Sequence, residues 1–223
     1  MAGLVRDAVK RALSPAYGII VAWGDFARAR YRALLTSLSY GADSGRRLNL
    51  AYTLASAKAD WDVENVPVPA GAATRFYTMQ RISGDEEHRF VLSGIWAFPF
   101  GLRLSTIATV ASPRPYRTRL GVDTNKNGFV QDDWIDGKRY RVPGDAWRYW
   151  YRMVDLRLTK AIDLGRGARL SVIVEGFNVF NTENFAGYSG VQKSNNGALR
   201  DDFGSPNAIF ATRQVQIGTR LEF

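Results

Sequence analysis

Metal binding is the first chemistry that the residue types allow. Asp123, Asn125 and Asn127 alternate with Thr124 and Lys126 ahead of Gly128 and Phe129. Oxygen donors at the first, third and fifth places, with a turn-forming Gly at the sixth, copy the first half of a calcium loop. The twelfth place, where a bidentate Glu belongs, is Trp134, which leaves Asp132 and Asp133 to substitute. The same letters also spell an Asn/Gly-rich turn at the tip of an exposed loop. Two other chemistries fall to simple counting. The 223 residues contain no Cys, which excludes disulfides and zinc-thiolate sites, and one His, His88, which excludes Ser–His or multi-His catalysis within the chain. No paired-carboxylate motif presents itself, so an enzyme is not expected.

A second group of chemistry-bearing residues is Asp155, Arg157, Glu175, Arg220 and Glu222. Each alternates with apolar neighbours, so each belongs to the polar side of an extended segment. Such charges either pair across neighbouring strands or gate a passing ligand. Their meaning depends on the elements that carry them.

Those elements read as strands throughout. Val215, Ile217, Thr219, Leu221 and Phe223 fall on one face of the last segment, with Gln214, Gln216, Gly218, Arg220 and Glu222 on the other. The same period of two marks 31–40, 48–57, 90–98, 102–112, 148–160 and 169–180. Residues 17–23 could supply a short eighth strand, and 1–13 read as a weakly helical or disordered extension. Connections alternate between short (Gly41–Gly45, Pro99–Gly101, Ala161–Ala168) and long (58–87, 113–146, 181–208). Short turns on one side, long loops on the other and strands of roughly 10–13 residues are the habit of a transmembrane barrel. A Greek-key sandwich has no reason to sort its loops this way.

Aromatic placement agrees. Tyr40, Trp96, Phe98, Phe100 and Phe223 cluster at the short-turn ends, and Trp61, Phe90, Trp147 and Trp150 near the long-loop ends. Amphipathic rings collect in this way at the two surfaces of a bilayer. The net charge of +9 suits nucleic acid or anionic lipid. Because Lys and Arg are spread over turns, loops and alternate strand positions, nucleic acid is not the expected partner. A mean hydropathy of −0.22 does not argue against a barrel, whose strands turn every second residue to the lumen.

Gln216, Gly218, Leu221 and Phe223 resemble the C-terminal signal by which the barrel-assembly machinery recognises bacterial outer-membrane proteins. A wider resemblance covers about residues 14–223. The runs 15–20 (PAYGII), 31–34 (YRAL), 52–54 (YTL), 88–94 (HRFVLSG), 175–181 (EGFNVFN) and 213–218 (RQVQIG) resemble the later barrel of TonB-dependent receptors. The likeness is greatest to the large-loop type with a carboxypeptidase-regulatory-like N-terminal domain.

The resemblance implies an all-β fold, an antiparallel meander making seven or eight strands of a 22-stranded, plugged outer-membrane barrel. It also implies energised uptake of a siderophore, vitamin or oligosaccharide, with outer-membrane lipid as the surroundings. Contact with the TonB complex would run only through a plug domain that these residues do not encode. The start (MAGLVRDAVKRAL) lacks the apolar core of an export signal, so the expectation is a C-terminal fragment of a longer receptor. Two other readings remain: a self-contained eight-stranded barrel acting as a pore or adhesin, and a soluble basic β-sheet binding module.

Overall fold

The computed structural model describes residues 28–42, 45–60, 79–124, 126, 130–131, 133–144 and 146–223. In chain order the strands are β1 (Ala29–Ala42), β2 (Arg46–Ala59), β3 (Gln80–Arg81), β4 (His88–Phe98), β5 (Leu102–Ala111) and β6 (Tyr116–Arg117). They continue with β7 (Tyr140–Arg141), β8 (Tyr151–Gly165), β9 (Ala168–Phe177), β10 (Phe185–Tyr188), β11 (Pro206–Ile209) and β12 (Gln214–Glu222). One eight-stranded sheet runs β1-β2-β4-β5-β8-β9-β12, with β3 added to the end of β2. Every pairing in it is antiparallel. The protein is therefore all-β, a meander of seven long strands. The sheet is open, not closed into a barrel: β1 and β12 pair on one side only. The predicted strand at 17–23, the extension at 1–13 and Trp61 lie outside the described residues.

Register sorts the side chains onto two faces. Leu38, Leu50, Leu92, Ala108 and Val154 form one continuous row. Trp96, Leu104, Leu158, Val174 and Ile217 form another on the same side. Between Arg152 and Lys160 the β8 residues on this apolar face are Val154, Leu156 and Leu158, with no charge among them. The opposite face carries the row Arg47, Ile95, Ser105, Arg157, Glu175 and Gln216.

Almost nothing covers the apolar face. Among the described residues the buried apolar side chains are few: Ala59, Ala111, Ile135 and the loop prolines Pro113 and Pro115. Leu38 is 66 % exposed, Val215 67 % and Ile217 75 %. Monomeric proteins in water rarely leave so large an apolar surface open. Backbone pairing, not a side-chain core, holds these strands together.

The strand ends are staggered. Measured from the row Tyr40, Leu48, Gly94, Thr106, Leu156, Gly176 and Val215, the long-loop ends lie eleven residues away at Ala29, six at His88, five at Tyr151 and one at Gln214. The short-turn ends lie two residues away at Ala42, four at Phe98, nine at Gly165 and seven at Glu222. Across the six steps from β1 to β12 one set slides by ten residues and the other by five. At about 3.3 Å per residue and about 4.8 Å per strand, this is a tilt between roughly 30° and 50°. Closed barrels incline their strands by a similar amount.

Most strand ends differ from the periodicity by a residue or two, and three differ for an identifiable reason. β8 starts at Tyr151, not Arg148, because Trp147–Tyr149 form a single 3-10 turn. It continues to Gly165, so 161–165 belong to the strand, and the turn is Gly165–Arg166–Gly167, all with positive φ. β9 stops at Phe177, not Phe180, because Asn178 (φ 48°) turns the chain. The long loops also carry the short pairs β6–β7 and β10–β11.

Asn178 is buried, at 1 % exposed, and its side chain is fully hydrogen-bonded. Its Nδ2 donates to Thr182 O at 2.9 Å and Ala211 O at 3.3 Å, and its Oδ1 accepts from Thr182 N at 2.9 Å. Its own N–H donates to Asp155 Oδ1 at 2.8 Å. Asn178→Ala strips the three side-chain bonds and leaves buried backbone groups unmatched, at a cost of about 2–4 kcal/mol. Urea unfolding followed by tryptophan fluorescence in a detergent micelle should show this loss. A change within about 0.5 kcal/mol would remove Asn178 as the loop anchor.

Candidate functional site

The polar face is concave. A single trough of about 870 Å³ is lined by same-face residues of five strands, β4, β5, β8, β9 and β12. Its charges are Arg103, Arg157, Arg169 and Arg220 against Asp163 and Glu222, with Glu175 one register place from the wall. The antiparallel ladder puts Arg157 directly opposite Glu175 and Glu175 opposite Gln216. Arg157 Nη1 lies 3.5 Å from Glu175 Oε1, and Gln216 Nε2 donates to Glu175 Oε2. Arg220 Nη2 lies 2.8 Å from Glu222 Oε1. All five charges expected on one polar face thus share it. Asp155 differs in use, since its carboxylate accepts from the Asn178 amide and so starts the following loop.

This arrangement can hold water and hydrogen-bond a polar solute. It offers no nucleophile–base pair. His88 lies on the opposite, apolar face, where its Nδ1 is 2.9 Å from the Tyr52 hydroxyl. Its ring stacks between Tyr52 and Trp150, each at 6.3 Å. Among the described residues no three His, Cys, Asp or Glu side chains gather as a metal site.

Of the residues read as calcium ligands, Asn125, Asn127 and Asp132 lie outside the described residues. Asp133 is buried, and its Oδ2 accepts from Thr124 N at 3.2 Å while Oδ1 accepts from the Thr124 hydroxyl. Its backbone oxygen accepts from Leu120 N at 2.8 Å. Asp133 therefore organises the loop that begins near Asp123. The terminal residues divide by parity: Gln216 and Gly218 stand on the polar face, Leu221 and Phe223 on the apolar one.

The long loops form an interlocked layer that the periodicity did not reveal. Arg119 N donates to Gly190 O, Gln192 N to Arg119 O and Lys193 N to Leu120 O, stitching two distant loops in parallel. A Cβ on Gly190 would sit 1.9 Å from Arg117 O, so only Gly permits this approach. Arg139, 3 % exposed, ties the second loop to the end of β2 by donating to Ala59 O at 2.6 Å and Asp60 O at 2.7 Å. Asn184 replaces a strand partner for Arg152: its Oδ1 accepts from Arg152 N at 2.7 Å and its Nδ2 donates to Arg152 O at 2.8 Å.

Within this layer an aromatic cleft of about 380 Å³ opens among Tyr116, Tyr149, Phe185 and Tyr188. Tyr116 and Tyr188 lie 5.1 Å apart, and Tyr149 meets Tyr188 edge-on at 6.1 Å. Arg148 covers the Tyr149 ring at 4.6 Å. Burial pushes the Tyr188 hydroxyl up to about 12, helped by the neighbouring Tyr149 and Tyr116 and opposed by Arg148. Burial likewise raises Tyr116.

Tyr188 should therefore titrate last among the phenols in an ultraviolet pH titration, and Tyr188→Phe should delete that component. Between about pH 10 and 12 the unfolded chain sheds a proton that folded Tyr188 keeps, so stability falls across this window as pH rises. A Tyr188 that ionises near pH 10 would mean an open, wet cleft. No family model matches this chain, and no curated protein is significantly similar to it.

Proposed function

We propose that this chain forms part of the wall of an outer-membrane barrel of the TonB-dependent receptor type. On this reading it lines the route by which a siderophore, vitamin or oligosaccharide is taken up, and it is not an enzyme. The observation that carries the reading is the uncovered apolar face: rows of Leu, Val and Ile that together cross seven strands, with few buried apolar side chains among the described residues. A hydrocarbon solvent suits that face, since along their ladders the inner strands pair their backbone groups with neighbouring strands.

Dimensions support it as well. β4 has eleven residues, about 33 Å along the strand and about 25 Å in height when tilted by about 40°. This is the height of a barrel's lipid-facing band. Rings at the long-loop end (Tyr52, Phe90, Trp150, Trp147) and at the other (Trp96, Phe98) bracket the band. The polar trough on the opposite face suits a wet lumen, and the aromatic cleft in the loop layer suits capture of a ring-bearing solute. The open sheet, with β1 and β12 unpaired to each other, favours a segment of a wide barrel over a self-contained eight-stranded pore or adhesin.

The absence of Cys makes the test direct. Single cysteines at Leu50, Val174 and Leu158 (apolar face) and at Ser105 and Thr159 (trough) are placed in the chain in lipid vesicles. A water-soluble maleimide should label the trough pair and spare the other three. Equal labelling of both sets, or release of the chain by carbonate without detergent, would defeat the membrane reading and favour a soluble sheet. In the same vesicles Val174→Arg should cost about 2–4 kcal/mol, whereas Ser105→Arg should be nearly neutral.

A further inference from the structure

We infer that the apolar face carries, at the long-loop end of β1 and β2, a docking site for a phosphorylated lipid. This rests on the membrane reading above and adds to it a particular lipid chemistry at a particular place. Alternate residues of β1 run Arg30, Arg32, Leu34, Thr36, Leu38 on one face. The register places Arg30 opposite Lys58, Arg32 opposite Ser56, and Leu34 opposite Leu54. Lys58 in turn pairs with Arg81 of β3. Cations thus give way to paired leucines within one same-face step, about 7 Å along the strand.

A groove of about 470 Å³ opens across this boundary, lined by Arg32, Lys58 and Arg81 on one side and Leu34 and Leu54 on the other. Its shape and chemistry are those of a lipid's own polar–apolar junction. Charge compensation within the groove is uneven. Asp85, 2 % exposed, accepts from Arg81 Nε and from Ala57 N, and Glu87 lies 3.3 Å from Arg81. Both acids are therefore committed to Arg81. Among the described residues no ion pair engages Arg30, Arg32 or Lys58, and all three are exposed. A phosphate group, carrying more than one negative charge when it is a monoester, supplies the missing anion. Acyl chains would then run down the Leu34/Leu54 and Leu38/Leu50 pairs.

The rim continues around the sheet. Arg152, second residue of β8 and on the same face, lies 5.0 Å from the Trp147 ring, with Trp150 and His88 between it and Tyr52. The strand stagger offsets β8 from β1 in the direction that brings Arg152 level with Arg30 and Arg32. Cations beside amphipathic rings at one height are what an anionic lipid surface selects.

The test is native mass spectrometry of the full chain in neutral detergent, titrated with phosphatidic acid and, separately, phosphatidylcholine. Phosphatidic acid should bind at least tenfold more tightly. Arg30→Gln, Arg32→Gln and Lys58→Gln together should abolish the preference, each charge contributing roughly fivefold. Replacing the loop-layer cations Lys138, Lys193 and Arg200 by Gln should leave it intact. Equal affinity for the two lipids, or loss of the preference in the loop variant as well, overturns the inference. So does competition by millimolar inorganic phosphate, which would make this a free-anion site. Insertion of the wild-type chain into pure phosphatidylcholine vesicles separates the two ideas. Insertion without an anionic preference defeats only this inference, whereas failure to insert defeats the membrane reading beneath it.

Discussion

Backbone pairing is the interaction on which this fold depends. With few buried apolar side chains among the described residues, Ala59, Ala111 and Ile135 besides two loop prolines, hydrophobic packing supplies little of the cohesion. The ladders of β1, β2, β4, β5, β8, β9 and β12 supply it instead, strand by strand. In water, exchange of such bonds with solvent leaves each worth only about 0.5–1.5 kcal/mol. Away from water an unmade bond costs far more, so a structure built on ladders is strongest where water is absent. The sparse core and the apolar face are therefore one fact seen twice. On the proposed reading, the fold sits in a solvent in which its backbone bonds cannot be traded.

Register then couples that outer requirement to the inner site. Because side chains alternate strictly, the register that lines up Leu158, Val174 and Ile217 also lines up Arg157, Glu175 and Gln216. A slip by one residue would turn charge to the apolar face and leucines into the trough. The charged row of the polar face thus helps to specify the sheet even though each exposed pair adds little energy. Apolar residues also occur on that face: Tyr31, Leu35 and Ile107 lie near the β1 edge or mid-sheet, and Ile95 and Ile173 line the trough.

Strand identity was legible because period-two alternation is a property of a single strand. All seven long strands, their short–long alternation of connections and the faces of Asp155, Arg157, Glu175, Arg220 and Glu222 could be read this way. Strand ends were less legible. Lys160 looks like a terminus because a charge breaks the apolar row, yet its Nζ reaches Phe100 O and the strand runs on to Gly165. The loop layer was illegible for a different reason. Its order comes from side chains acting as backbone, such as the Asn184 carboxamide on Arg152, and from a parallel contact between residues about seventy positions apart. Neither leaves a periodic trace. Asp85, Arg139 and Asn178 belong to the same class: buried polar residues whose partners are main-chain atoms, identifiable only once those atoms have positions.

The edges complete the argument. β1 is fourteen residues long and exposed along nearly its whole length, and among the described residues nothing pairs with its outer side or with that of β12. Edges of this kind recruit further strands. On the proposed reading both edges take strands inclined at the same angle, since the stagger across β1 to β12 fixes the tilt of any strand added to either side. The same tilt lifts the β1–β2 ends, with Arg30, Arg32 and Lys58, to the level reached by β8 at Arg152. One geometric property, the slide of each strand past the next, therefore governs both the tilt of any added strand and, on the proposed reading, where the basic rim meets the bilayer surface.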